Sequence, residues 1–465
     1  MANNMNISTD ESALLAFKSR ISTTDPSNIL IKNWSASTPV CVWIGVTCGL
    51  RHQRVTALDI SSMNLGGNIP SQLGNLSFLV SINLSSNYFY GSLPRELIRL
   101  RRLQIIDFRL NSFSGQIPSW FGFLQNLQLL NLRNNSFTGF IPPSLSNIST
   151  LQDLDLSFNP LQGKIPEEIG NIHNLKTLKL QYNRLTGLIP LTIFNISTLE
   201  ILAFTGNNLS GNLPVDICHG LPRLRVLYLS LNELDGEIPS NISECSQLQL
   251  LSLSFNKFRG FIPSEIGRIR TLQILYLASN DLSGAIPSEL GNLENLQMLD
   301  MPDNFLTGSI PASIFNISSL QYINVGGNNL SGNLDLLVSG YELPNLEQLY
   351  LNVNNFHGRI PNSIANSSKL TEINLAYNKF RGSIPSEIGR IRTLQILYLG
   401  SNDLSGSIPQ ELGNLDNLQR LDMAENFLTG SIPASIFNIS SLQLINVGGN
   451  NLSGTLPANI CSNCS

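Results

Sequence analysis

Leu394 to Asp416 reads LQILYLGSNDLSGSIPQELGNLD, and the spacing of its leucines decides the fold. Leu394, Leu397 and Leu399 stand as L-x-x-L-x-L. Around the last two the spacing is two, so both side chains leave an extended backbone on one face while Tyr398 and Gly400 leave on the other. Asn402 follows, Gly406 and Pro409 turn the chain, and Leu412 and Leu415 return it to the core. The first apolar position recurs every 24 residues from Val55 through Leu79 and Leu103 to Leu442, apart from one step of 25 (Leu199 to Leu224) and one of 26 (Leu320 to Leu346). These seventeen repeats specify a solenoid, in which each unit buries its apolar face against its neighbours.

The position eight places after the first Leu is Asn in sixteen of the seventeen repeats, Met63 being the exception. A buried amide must find partners, so this column is expected to be a ladder in which each Asn bonds the backbone of its own and the next turn. Pro cannot donate to a strand ladder, so the Gly406–Pro409 segment is expected as a short edge strand or turn rather than a central strand. Stacked coils should form one parallel sheet with strands about 4.8 Å apart. Loops and short helical turns should cover the other side, and rotation between units should leave the sheet concave.

The consensus L-x-x-L-x-L-x-x-N-x-L-x-G-x-I-P, seen at Gly139-Phe140-Ile141-Pro142 and Gly430-Ser431-Ile432-Pro433, resembles the plant-specific class of leucine-rich repeat. Upstream, the run from Asp10 to Lys18, then Trp34, then Cys41-Val42-Trp43-Ile44-Gly45-Val46-Thr47-Cys48, resembles the N-terminal cap of that family. The resemblance implies an α/β solenoid: a right-handed superhelix with a concave parallel sheet and an N-terminal helical cap. The cap would span residues 1–54 and the seventeen repeats residues 55–465, with no visible C-terminal cap. Within the family the chain is most similar to ectodomains of leucine-rich-repeat receptor kinases, in the group that includes sensors of bacterial elicitors. That implies an extracellular or cell-surface module in plant immune or developmental signalling, binding a peptide or protein through its concave face. A co-receptor with a leucine-rich-repeat ectodomain would be a second partner, and any kinase domain would lie outside this chain.

The charged fraction, 13%, is about half the usual value, and the net charge is −4. No basic stripe is present, which argues against nucleic acid as a partner. No run reaches the roughly 18 apolar residues a membrane helix needs, so this segment itself is not expected to contact a membrane. Six cysteines point to an oxidising compartment, whereas the first residues, MANNMNISTDES, contain no apolar signal-peptide core. Cys41 and Cys48 are expected to close the cap with a disulfide, and Cys218 and Cys245, in adjacent repeats, to form another; Cys461 and Cys464 have no assigned partner. Fifteen Asn-x-Ser sequons occur, with Asn33, Asn134, Asn147, Asn195, Asn208, Asn316, Asn366 and Asn438 as candidate glycosylation sites. Asn83 differs in lying inside L-x-x-L-x-L, facing the concave side.

No enzyme is expected. His52, His173, His219 and His357 share no column of the repeat, and no nucleophile-elbow, phosphate-binding or kinase motif is present. Asp153 and Asp155 read as a solvated strand face, and Cys461 and Cys464 without a second pair make a weak metal site. Neither metal nor cofactor is expected. The functional signal lies in the outward columns, where Arg109, Arg133, Lys179, Tyr228, Tyr276, Tyr350 and Tyr398 are the candidate ligand anchors. Arg109 and Arg133 fall on consecutive strands about 5 Å apart, so they repel unless a ligand anion bridges them or Asp107 and Asp155 compensate them locally, the reading favoured here. Residues 256 to 332 and 378 to 454 align at an offset of 122 with 68 of 77 positions identical. Five of the nine differences fall at outward strand positions: Ala278/Gly400, Met298/Arg420, Pro302/Ala424, Asp303/Glu425 and Tyr322/Leu444. Divergence concentrated there fits a recognition surface. Two rival readings remain: a secreted inhibitor of microbial cell-wall-degrading enzymes, and a truncated, non-signalling gene product.

Overall fold

Each L-x-x-L-x-L segment forms a short strand in the computed structural model, which describes residues 7–23, 29–334 and 343–455. The chain divides into two units, Met1–Leu234 and Asp235–Ser465. In the first, strands such as Ile105–Asp107, Leu129–Asn131, Asp153–Asp155 and Thr177–Lys179 pair in parallel, in sequence order, with equivalent residues side by side: Ile106, Leu130, Leu154 and Leu178 form one row. The second unit repeats the arrangement from Leu250–Ser252 to Leu444–Asn446. The stacked-coil solenoid, its parallel sheet and its N-terminal helix are therefore as the sequence predicts.

The Gly-Pro segment departs from expectation. Asp403–Ser407 is a strand paired in parallel on both sides, with Lys379–Gly382 and Phe427–Gly430. A second parallel sheet, with strands paired on both sides, therefore runs through each unit where a short edge strand or turn was expected. Pro409 escapes the ladder because it lies beyond the strand, as the extended residue that leads into the 3-10 helix Gln410–Asn414. Its missing N–H costs nothing there, and its fixed φ suits the entry. Leu412, on that helix, is fully buried.

The Asn column links these layers, but in the opposite direction from that expected. The Asn159 side-chain amide donates to the carbonyls of Leu156 and Ser157 in its own coil and of Leu132 in the preceding coil (3.1, 3.1 and 3.0 Å). Its Oδ1 accepts from the N–H of Phe137, in the second strand of the preceding coil, at 3.0 Å. Asn304 repeats the pattern with Leu277 and Leu282 at 3.0 and 3.1 Å. Each Asn thus satisfies backbone groups of both sheets one coil back. Met63 departs from the consensus in the first coil, which has no coil behind it.

One residue before each column position, all seventeen repeats adopt positive φ. Three are glycines (Gly206, Gly327, Gly449); the rest include Leu110, Phe158, Tyr182 and even β-branched Val353. This conformation is disfavoured for such residues, yet the geometry demands it. After the last inward Leu a continuing strand would point its seventh residue inward; the left-handed turn swings that side chain to solvent and sends the Asn inward instead. Backbone bonds hold the turn, as where Phe158 N–H donates to Gln181 O at 2.8 Å.

The second sheet needs its glycine for a further reason. Gly163 has φ +78, and a Cβ there would lie 2.4 Å from the Phe140 ring, which sweeps across it from the preceding coil. Gly406 has a similar φ of +81, but the nearest atom to an added Cβ would be 3.8 Å away.

The cap closes the first coil. Its helix Ile7–Lys18 buries Phe17 against Phe89 (5.6 Å between ring centroids), extending a spine of stacked rings through Phe113 and Phe137. Asp10 and Arg54 form a buried ion pair with contacts of 2.6 and 2.7 Å, and Asp10 also accepts from Val55 N–H at 3.0 Å. Sequence reading missed this pair, since two isolated charges 44 residues apart carry no periodic signal. Trp34 stacks on Trp43 at 5.5 Å, and Cys41 is bonded to Cys48.

Two sets of variants test these assignments. Asn232→Ala and Asn304→Ala should each lose about 1 to 3 kcal/mol in chemical denaturation by stranding backbone groups, whereas exposed Asn362→Ala should melt like the parent. Gly163→Ala should cost clearly more than Gly406→Ala, which carries only backbone strain of about 1 to 3 kcal/mol. Equal losses at the two glycines would refute the steric role of Phe140.

Candidate functional site

The outward strand face is built from the residues between the inward leucines, and in the first unit its charges are largely engaged. Arg109 Nε lies 3.5 Å from Asp107 Oδ2, as local compensation requires. Burial pushes the Asp107 carboxyl above the ordinary value, opposed by the Arg109 backbone bond and charge and assisted by the charges of Asp155 and Asp59. Arg133 differs from expectation, its guanidinium lying over the Phe158 ring at 5.0 Å. Asp155 is not the exposed carboxylate anticipated. It is buried, and its Oδ1 accepts from the backbone N–H and hydroxyl of Ser157.

The residues in left-handed turns add a column that sequence reading did not identify. Phe158 stacks on Tyr182 at 4.7 Å between centroids, so Arg133, Phe158 and Tyr182 form one continuous stack. Tyr182 in turn lies across Gly206, where a Cβ would come within 2.6 Å of its ring. Leu110, Leu231, Phe255, Val353 and Tyr377 are also exposed in this column, up to 64% for Tyr377. The available signal was large apolar residues at a position with no inward role. Lys179 and Tyr228 are half-buried on their strands.

In the second unit Tyr276, Tyr350 and Tyr398 are half-buried and separated by strands carrying Asp300, Asn324 and Asn374. Tyr350 instead meets Tyr322, absent from the expected anchors, at 5.6 Å between centroids. Tyr350 donates its hydroxyl to Glu372, which also accepts from Gln348 at 3.2 Å. Asp300 Oδ1 accepts from Asn324 at 3.0 Å and from Tyr322 OH at 3.4 Å. Around them is a shallow cavity of about 360 Å³, whose lining includes Asp303, Tyr322, Gly327, Tyr350 and Val353. Among the described residues no group of three His, Cys, Asp or Glu side chains is placed to hold a metal ion, and no helix is long and apolar enough to cross a membrane.

The sequons sort by environment. Asn147, Asn195, Asn316, Asn366 and Asn438 are exposed at the ends of 3-10 helices, and Asn208 is exposed on a second-sheet strand. Asn33 is half-buried, and its Oδ1 accepts from Ile44 N–H at 2.6 Å. Asn83 donates its amide to Asp59 (3.1 Å) and accepts from Ser85 N–H, so its nitrogen is occupied. Asn134 lies beside Phe158 and Tyr182, so a second sequon, besides Asn83, borders the strand face. Cys218 and Cys245 are both buried and disulfide-bonded; Cys461 and Cys464 lie outside the described residues.

Known proteins share this architecture. Residues 7–49 match the leucine-rich-repeat N-terminal domain. Residues 101–161, 173–234 and 270–330 match one leucine-rich-repeat model, and six further segments between 247 and 463 match another. A receptor-like protein kinase of Arabidopsis thaliana is 48% identical over 88 residues, 19% of this chain and 8% of that protein. The LRR receptor-like serine/threonine-protein kinase EFR of the same plant is 44% identical over 89 residues, again 19% and 8%. The matched stretches thus span less than a tenth of these relatives' length. Among solved structures, the plant peptide hormone receptor RGFR1 in complex with RGF2 superposes with a TM-score of 0.77 at 35% identity, covering 87% of this chain and 68% of that one. The Arabidopsis HAESA ectodomain with its IDA peptide hormone gives 0.66 at 30% identity, covering 98% and 88%. HAESA with IDA and the co-receptor SERK1 gives 0.59 at 28%, covering 98% and 92%.

In protein secreted from a eukaryotic host, peptide mapping should find Asn147, Asn195 and Asn438 glycosylated and Asn83 bare, with a Cys218–Cys245 linked peptide before reduction. A glycan on Asn83, or Cys218 linked to a different cysteine, would contradict the respective assignment.

Proposed function

Because the chain belongs to the plant leucine-rich-repeat family, carrying the repeat and N-terminal domains of receptor ectodomains, we propose that it is the ligand-recognition module of an extracellular receptor and binds a peptide or protein along its outward strand face. The observation that carries this reading is that neighbouring coils bring aromatic and charged side chains of that face together, in the Arg133–Phe158–Tyr182 stack and in the Tyr322–Tyr350 wall. Arg109, Arg133, Lys179, Tyr228, Tyr276, Tyr350 and Tyr398 remain the anchors; Phe158, Tyr182 and Tyr322 join them. Central aromatic and Arg residues tend to dominate such interfaces. Shallow cavities in place of a deep pocket favour an extended peptide or protein over a small metabolite. RGFR1 and HAESA, structurally similar over most of this chain, are each seen with a peptide, and SERK1 beside HAESA supports a co-receptor of the same kind here. The disulfides support an oxidising, extracellular setting. Plant immune or developmental signalling is the process this reading implies, with kinase activity and a membrane anchor assigned to other parts of the receptor.

The test begins with the small-peptide fraction of plant extracellular fluid, from which the immobilised protein should retain a peptide that mass spectrometry can identify. For that peptide, synthesised, Arg133→Ala, Tyr276→Ala and Tyr350→Ala should each weaken binding about tenfold or more, roughly 1.4 kcal/mol. Lys164→Ala, just past one second-sheet strand, and Glu237→Ala, at the end of another, should leave it unchanged. Loss from both faces alike would overturn the assignment. Inhibition of a microbial pectin-degrading enzyme by the protein would favour the rival reading as a secreted inhibitor.

A further inference from the structure

The duplicated blocks make an internal control for the second unit. Their backbone elements correspond: Met298–Asp300 and Tyr322–Asn324 in the first copy match Arg420–Asp422 and Leu444–Asn446 in the second. Of the nine differences between the copies, three (Pro302/Ala424, Asp303/Glu425 and Tyr322/Leu444) fall among the six duplicated residues that line the first copy's cavity. An even spread over 77 positions would place fewer than one there. The cavity lining is therefore enriched in differences between the two copies.

Its chemistry is one-sided. Tyr322 and Tyr350 form an aromatic wall. Burial, first, and the neighbouring Asp300 charge push the Tyr322 hydroxyl up to about 12, and burial also raises Tyr350, so both remain neutral rings. Both hydroxyls already point at carboxylates, Tyr322 at Asp300 and Tyr350 at Glu372, which leaves the ring surfaces for an incoming group. Asp303 reaches across Gly327, where a Cβ would lie 2.2 Å from its Oδ1. The Asp300 carboxyl is raised, chiefly by burial, with the Asp303 charge adding and the bonds from Asn324 and Tyr322 opposing. No lysine, arginine or histidine is among the lining residues.

We propose that this cavity is a subsite for one cationic side chain, arginine in preference to lysine, of a peptide lying along the strand face; the proposal rests on the reading of that face as the ligand surface. A guanidinium can stack on the tyrosine rings while its N–H groups reach the Asp303 carboxylate, with the Asp300 charge behind Tyr322 and Asn324 adding to the attraction, and a lysine ammonium offers no such plane. A neutral side chain of similar length gains nothing from the acids, and an acidic one is repelled.

The probe is a pentapeptide amide, Ac-Gly-(photoleucine)-X-Ala-Gly, with X as Arg, Lys, norleucine or Glu, titrated into the full chain by calorimetry and then photo-crosslinked. The Arg peptide should bind at millimolar concentration, about fivefold tighter than the norleucine peptide, with Lys between them and Glu undetectable. Its crosslinks should map to residues 300–353. The triple variant Pro302→Ala, Asp303→Glu, Tyr322→Leu takes the residues the second copy already accommodates, so the fold is kept. It keeps an acid at position 303 but loses Tyr322, half of the aromatic wall, so its Arg preference should fall to about twofold or less, and Asp303→Asn should abolish the preference. Equal binding of Arg and norleucine peptides by the parent, or an undiminished Arg preference in either variant, overturns the subsite. So does the absence of any Arg-peptide binding. Crosslinks elsewhere on the strand face refute the subsite alone, whereas crosslinks confined to the second sheet refute the face reading as well.

Discussion

One side-chain amide per coil holds this architecture together. An isolated coil cannot satisfy its own backbone, because its strands are two to five residues long and its turns expose carbonyls on the inside. The asparagine gathers two of those carbonyls from its own coil and one from the coil behind, and its oxygen takes an N–H from the second sheet. Its bonds therefore cross between coils and between layers at once. The leucines supply the burial, but leucines alone would allow a coil to slip against its neighbour. The amide fixes the register, because any shift leaves buried donors and acceptors unpaired.

The same constraint shapes the face proposed for recognition. To send the asparagine inward, the preceding residue must take a left-handed turn, and its side chain is driven outward whatever its chemistry. Phe158 and Tyr182 reach solvent for that reason, and they stack because neighbouring coils repeat the geometry one strand apart. Arg133, two places after an outward asparagine on its own strand, then finds a ring in place of the carboxylate expected for it. Consecutive residues therefore take opposite roles: the amide is buried for the fold, and the side chain before it is turned to the outer face.

Much of this was legible in the sequence because period and register are written in the leucines. Their spacing specified the strands, the stacking and the outward columns, and the asparagine column announced itself as a ladder. The second sheet was hidden because Pro409 was weighed as part of the strand it in fact follows. The direction of the ladder was hidden too, since spacing cannot say whether an amide bonds forward or back. Individual outward contacts were the least readable. Whether Arg133 meets Asp155 or Phe158 depends on Ser157 capturing the carboxylate and on a turn conformation that no local propensity favours in phenylalanine. Asp10 and Arg54 were unreadable for a related reason: the cap does not repeat, so no column singles them out.

The internal duplication follows from the same nearest-neighbour bonding. Its offset of 122 residues, from Leu272 to Leu394, is five whole coils. Because each coil bonds only to the one on either side, and every interface presents the same amide, carbonyls and leucines, a block of whole coils can be copied into the stack without creating a new kind of junction. Recombination within the gene is thus tolerated at any multiple of the repeat and rejected elsewhere. The chain can lengthen its surface in a single genetic event and let the two copies drift apart afterwards, as Tyr322 and Leu444 have done.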